Sequence, residues 1–279
     1  MKLCEFIRPA SIAAARDVLR ELGPKAMILA GGTALHFLQD DTPVTAVDIT
    51  RLGLSYIRED GDFYRIGATT PLADIQRYRA PRWALHEICR RIATHQIRNV
   101  STIGGNIARV FPWADLPVVL LAMDARIVLD DAGETELPAD EFFDGQPARR
   151  FHGGAILTAV RVPALQAHVG FGSVKVVRTA AAFSMVTAAT LLRLENGCIA
   201  QARVAAGSAI PFPRRLPEVE AALVGKEPVE AVFREAARLA SAPWRGKEGM
   251  SPEYSRQLAE VTISDALVRA AEHAQERTK

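Results

Sequence analysis

Two double glycines, Gly31-Gly32 and Gly104-Gly105, restrict what this chain can fold into more than any other feature, because each sits beside an apolar stretch. Glycine permits backbone conformations and close approaches that a side chain forbids, so the chain must turn tightly or pass close to something at both points. Around the first pair, residues 26–30 read as a short buried strand, and Thr33 then opens a helical turn through Ala34, Leu35, His36, Phe37 and Leu38. A strand, a glycine turn and a helix start therefore follow one another. Around the second pair, residues 96–106 combine glycines with polar side chains that continue a helix poorly, which predicts a loop.

A diphosphate needs backbone N–H groups aimed at it with no side chain in the way. Leu29, Ala30, Gly31, Gly32, Thr33, Ala34 and Leu35 fit that need. Thr102, Ile103, Gly104, Gly105 and Asn106 add a hydroxyl and an amide to it. Either segment alone is better read as a tight turn that uses glycine for its φ. Two of them in one region point to a long ligand held between them. Neither has the GxGxxG spacing of a Rossmann site with an acid about twenty residues on, so a dinucleotide here is held by another fold.

The 279 residues, 49% of them hydrophobic, suffice for two domains of ordinary size. Lys and Arg total 34 against 32 Asp and Glu, a net +2 that argues against nucleic acid or an anionic membrane as partner. No stretch is long and apolar enough to span a bilayer and the start has no signal-like apolar core, which places the chain in the cytoplasm. Cys4, Cys89 and Cys198 lie far apart without ligand spacing and read as buried thiols.

Ser11 can cap a helix carrying Ile12, Ala15, Leu19 and Leu22 on one face, with Gly23-Pro24 as its stop. Strands are expected at 44–49, 63–66, 126–129 and 155–162, helices at 83–93 and 114–123, and a hinge at 163–170. In the tail, Val186, Ala188, Thr190, Leu192 and Leu194 alternate with their neighbours. Asn196-Gly197 then marks a type I′ hairpin. Helical patterns at 216–223, 229–240 and 253–274 follow, so the tail is α+β. His95 has no nucleophile or second His near it in sequence and reads as structural. Trp113 either shields a ligand or fills core, and Arg149-Arg150 reads as a solvated turn.

Ala30-Gly31-Gly32-Thr33-Ala34-Leu35, Gln96-Ile97-Arg98-Asn99, Thr102-Ile103-Gly104-Gly105-Asn106 and Ala114-Asp115-Leu116-Pro117, in this order, resemble the FAD-binding subunit of the xanthine dehydrogenase and carbon monoxide dehydrogenase family of molybdenum hydroxylases. The likeness extends over nearly the whole chain, through Phe142-Phe143-Asp144-Gly145 and the strand-hairpin-helix tail. It implies an α+β fold. An FAD-binding domain of the p-cresol methylhydroxylase or vanillyl-alcohol oxidase type would occupy residues 1–165, with subdomains of about 1–55 and 56–165. A smaller α+β domain of the carbon monoxide dehydrogenase flavoprotein type would occupy 166–279.

The resemblance also assigns Leu29 to Leu35 and Thr102 to Asn106 to FAD. It puts Asp115 near the adenosine half, where a carboxylate accepts ribose hydroxyls, and Leu157 and Lys175 at the flavin. Without it, Asp115 reads equally as an acid at a helix start, and Lys175 as a solvated strand residue. No catalytic acid, base or metal ligand is assigned to this chain. The implied role is an electron relay: a large partner subunit carries the molybdenum cofactor, a small one carries 2Fe-2S clusters, and electrons leave through FAD to NAD, oxygen or another acceptor. With no cysteine ligand set here, those clusters belong to another chain. Two alternatives stand beside it, a self-sufficient FAD-dependent oxidoreductase of the same fold superfamily and a non-catalytic scaffold without flavin. The chain departs from the family at Gln39-Asp40-Asp41, where many members carry an Arg. It departs again at Arg178-Thr179-Ala180-Ala181-Ala182-Phe183, which keeps an aromatic, a candidate contact for the flavin ring, but lacks the usual acid.

Overall fold

The computed structural model describes residues 2–37, 43–247 and 249–277; Leu38 and the divergent Gln39-Asp40-Asp41 lie outside them. Three sheets follow one another along the chain. The first is parallel, ordered β1-β3-β2, from β1 (Lys2–Ile7), β2 (Ala26–Leu29) and β3 (Pro43–Asp48). Helix α1 (Ile12–Leu22) links its two outer strands, and the Ser11 hydroxyl accepts the Ala14 N–H as expected of an N-cap. Ala15 of α1 packs with Val47, Ile49 and Ile156 in a small core.

The second sheet is antiparallel, ordered β4-β5-β8-β6-β7, from β4 (Ile57–Asp60), β5 (Phe63–Gly67), β6 (Arg126–Asp130), β7 (Glu134–Pro138) and β8 (Ile156–Pro163). Between β5 and β6 run α2 (Leu72–Arg77), α3 (His86–Arg90), α4 (His95–Val100), α5 (Ile103–Ile107) and α6 (Leu116–Ala122), while α7 (Ala139–Phe142) follows β7. The helix expected at 83–93 shrinks to α3, since the chain leaves helical conformation before Ala93, whose φ is 48°. The loop expected at 96–106 is instead two short helices. Thr94 and Thr102 cap them by accepting the N–H groups of Ile97 and Gly105, and such caps offset the low helix propensity of the glycines.

The third sheet is antiparallel, ordered β12-β11-β10-β9, from β9 (Val169–Val176), β10 (Val186–Glu195), β11 (Cys198–Gly207) and β12 (Arg214–Arg215). Asn196 and Gly197 have φ of 51° and 78°, the positive pair a type I′ hairpin requires. Helices α8 (Pro217–Leu223), α9 (Glu230–Ala237) and α10 (Pro252–Glu276) follow. The strands β10 and β11 are buried on both faces. Ala188, Leu192 and Val204 pack with Leu267 and Ala270 of α10, while Ala189, Leu191 and Ala205 join the core that holds α6. The segment expected as a hinge is anchored: the N–H groups of Ala164 and Leu165 donate to the carbonyls of Asp62 and Arg82, and β9 starts at Val169.

Of the three cysteines only Cys89 is buried, and that burial pushes its thiol up to about 12; Cys4 is exposed on the edge strand β1. Among the described residues no helix is long and apolar enough to cross a membrane.

Helix α10 reaches β9 because two strand residues lack side chains. A Cβ on Gly172 would stand 2.1 Å from the Ala266 carbonyl oxygen, and one on Gly170 would stand 1.9 Å from that of Ala270. Gly172→Ala therefore forces helix and sheet apart. Overpacking of this kind costs about 1–3 kcal/mol, to be read as a lower midpoint in urea unfolding, with the m-value unchanged.

Candidate functional site

A cavity of ≈ 730 Å³ opens between the first sheet and the second glycine element. Leu29, Ala30, Gly31, Gly32, Thr33, Ala34 and Leu35 all line it, together with Thr102, Gly104, Gly105 and Leu157. The residues that form this wall are drawn together by backbone contacts. A Cβ on Gly31 would lie 2.0 Å from the Val100 carbonyl oxygen, and one on Gly104 would lie 2.7 Å from that of Ala68. The Gly104 N–H donates to the Ala68 carbonyl (2.8 Å), and the Ala68 N–H donates to that of Thr158 (2.9 Å), next to Leu157 on β8. Leu157 and Ala159 pair with consecutive residues of β6, Leu129 and Val128, so Thr158 forms a bulge that aims its carbonyl at residue 68.

The wall has polar capacity in reserve. The N–H groups of Gly31, Gly32, Thr33 and Ala34 have no backbone acceptor among the described residues. Four successive N–H groups without a backbone acceptor, on residues that line one cavity, suit an anion with several oxygens. Off the cavity lining, the buried Oδ1 of Asn106 and Oγ1 of Thr69 have no hydrogen-bond partner among the described residues. The site therefore fits a bound diphosphate: its backbone is accessible, glycine keeps side chains out of the way, and much of the rest of the lining is apolar.

Four of the candidate residues stand elsewhere. Ile103 is fully buried in the core behind the wall, and Asn106 lies one turn on. Asp115 and Lys175 pair with each other: Lys175 Nζ lies 2.7 Å from Asp115 Oδ2, with both side chains at most 4% exposed. Ser184 and Thr187 donate their hydroxyls to Asp115 Oδ1, and Lys175 Nζ also donates to the Arg91 carbonyl (3.1 Å). Although Asp115 occupies the N-cap of α6, its carboxylate makes no cap bond there. The pair joins α6 to β9 and β10, and no residue of it lines the cavity. Close by, Lys247 Nζ donates to the Ser184 carbonyl (2.7 Å), and burial lowers its pKa against the raising pull of Asp115.

Sequence patterns did not single out Met27, Ser101, Arg109, Phe111, Phe151 or the Gly153-Gly154 turn as lining residues. No periodicity in the sequence marks Arg109, which lies past the end of α5 at Ile107. Phe111 opens an aromatic cluster beside the cavity. It stacks on Trp113 (5.2 Å between centroids), Trp113 stacks on Phe183 (4.6 Å), and Phe37 meets Trp113 and Phe183 edge-on. Phe183 is 55% exposed and does not line the cavity. His95 starts α4, and its ring shares a hydrogen bond with Asn99 at 3.4 Å. Arg150 is tied to the Glu141 carbonyl (2.6 Å).

Lys175→Met leaves a buried carboxylate without its cation, a loss of about 3–5 kcal/mol. Urea unfolding should show it, and Asp115→Asn combined with Lys175→Met should recover part of the loss. Unchanged stability with lost cofactor binding would instead make Lys175 a ligand contact.

Residues 2–165 match the family described as the FAD binding domain in molybdopterin dehydrogenase, and residues 174–270 match the CO dehydrogenase flavoprotein C-terminal domain. The carbon monoxide dehydrogenase medium chain of Hydrogenophaga pseudoflava is 30% identical over 94% of this chain and 95% of its own length. The xanthine dehydrogenase FAD-binding subunit of Escherichia coli O157:H7 is 30% identical over 95% and 96%. Among solved structures, a carbon monoxide dehydrogenase from Hydrogenophaga pseudoflava superposes with a TM-score of 0.89 at 30% identity, covering 99% of this chain and 98% of that one. With its two domains matched in order and its length covered by such relatives, the chain belongs to the FAD-binding medium subunits of the molybdenum hydroxylases, a family of oxidoreductase components.

Proposed function

We propose that the cavity between the two glycine elements holds FAD, and that the chain passes electrons from iron-sulfur clusters of a small partner subunit to a final acceptor such as NAD or oxygen. A large partner subunit with the molybdenum cofactor would oxidise the substrate. The observation that carries this reading is the run Gly31 to Ala34, whose N–H groups have no backbone acceptor among the described residues and which lines a cavity whose other wall is the second glycine element. In this reading Leu29 to Leu35, Thr102, Gly104, Gly105 and Leu157 hold the cofactor. Ile103 anchors the second element in the core, and Asp115 with Lys175 ties the first domain to the second away from the cavity.

FAD supplies the capacity to take up and release electrons singly or in pairs, and the protein binds, orients and tunes it. This chain needs no acid or base of its own for that. Its three free thiols suit a reducing cytoplasm. The medium chains named above belong to carbon monoxide and xanthine dehydrogenases, which supports the pairing with large and small subunits.

Gly105 is exposed and lines the cavity, and a Cβ there meets only the Thr102 hydroxyl, at 3.0 Å. Gly105→Trp should therefore abolish flavin binding while leaving the circular dichroism spectrum unchanged. Undiminished flavin content in the folded variant would remove the second glycine element from the site. The relay itself is tested by purifying the chain with the products of neighbouring genes and measuring molybdenum, iron and flavin. Substrate turnover by the flavin-loaded chain alone would favour a self-sufficient enzyme.

A further inference from the structure

A dianionic diphosphate inside a largely apolar cavity calls for positive charge beyond what backbone N–H groups provide. The lysine that the family likeness places at the flavin does not supply it, because Lys175 is 2.7 Å from Asp115 and off the cavity wall. Among the described residues lining the cavity, Arg109 is the one with a charged side chain. It is exposed, and no ion pair or hydrogen bond of its guanidinium is seen among the described residues. Its Cζ lies 5.9 Å from the centroid of the Phe111 ring, itself part of the wall. An arginine resting on an aromatic face keeps its donors available to a neighbour.

We propose that Arg109 is a cofactor-binding residue that pairs with the diphosphate of FAD, closing over the anion from the side opposite the Gly31 to Ala34 turn. The inference rests on the flavin reading of the cavity. The diphosphate is its partner for two reasons. Arg109 lies two residues past the end of α5 at Ile107 and lines the same cavity as Gly104 and Gly105, so it stands next to the element expected to hold that group. The oxidised flavin ring carries no charge to pair with, whereas the diphosphate is anionic in every redox state.

The test uses the full-length chain stripped of flavin, with R109Q and R109K beside it, titrated by fluorescence with FAD and with riboflavin, which lacks diphosphate and adenosine. R109Q should weaken FAD by about tenfold to a hundredfold, the range for a charge-assisted hydrogen bond, and leave riboflavin unchanged. R109K should retain part of the affinity. The fall of FAD affinity with added salt should be shallower in R109Q, since one screened charge pair is gone. Equal FAD affinity in R109Q and the unaltered chain overturns the proposal. So does an equal loss for riboflavin, which would place the contact at the ring. If the unaltered chain takes up riboflavin and FAD equally weakly, the flavin reading of the cavity falls first, and the role of Arg109 with it.

Discussion

Backbone must touch backbone for the site to exist. The Gly31 turn lies against the Val100 carbonyl, and Gly104 lies against that of Ala68, at separations where any Cβ would collide. Through Ala68 and Thr158 the contact continues to β8, so the parallel sheet, the paired short helices and the antiparallel sheet are held together by a line of main-chain interactions. Glycine at these places thus serves two ends at once. It lets the segments approach each other, and it keeps side chains off a stretch of backbone that lines the cavity.

The second organising constraint is electrostatic. Burying Asp115 and Lys175 removes both charges from water, a cost that their mutual attraction offsets only when the remaining hydrogen-bonding capacity is filled. Ser184, Thr187 and the Arg91 carbonyl fill it here. Because the partners come from α6 on one side and from β9 and β10 on the other, the network resists sliding of one domain over the other in a way that the apolar contact between α6 and the third sheet cannot. Hydrophobic packing is non-directional, whereas a buried ion pair has one good geometry. The same pairing leaves the cavity with Arg109 as its cationic side chain.

Local signals are legible in the residues alone. Ser11 and its helix, the strand at Ala26–Leu29, and the Asn196-Gly197 hairpin depend on interactions within a few residues, and each stands where the pattern puts it. The strands β1, β4, β7 and β9 escape such reading. They are edge strands, exposed in part or interrupted by glycine, so no clean alternation marks them. The segment 96–106 misleads for a related reason: its glycines argue against a helix by propensity, but two threonine caps and the Ala68 contact outweigh that.

By itself the sequence determined the family, the order of the two matched domains and the two glycine elements, because these are carried by short motifs in a definite succession. Only the tertiary structure decided that both elements face one cavity, that Asp115 meets Lys175 across a separation of 60 residues, and that Arg109 stands on the wall without an ion-pair partner among the described residues. The physical reason is range. Caps and turns are set by neighbours along the chain, but a charge is paired or left free by whatever the fold brings beside it.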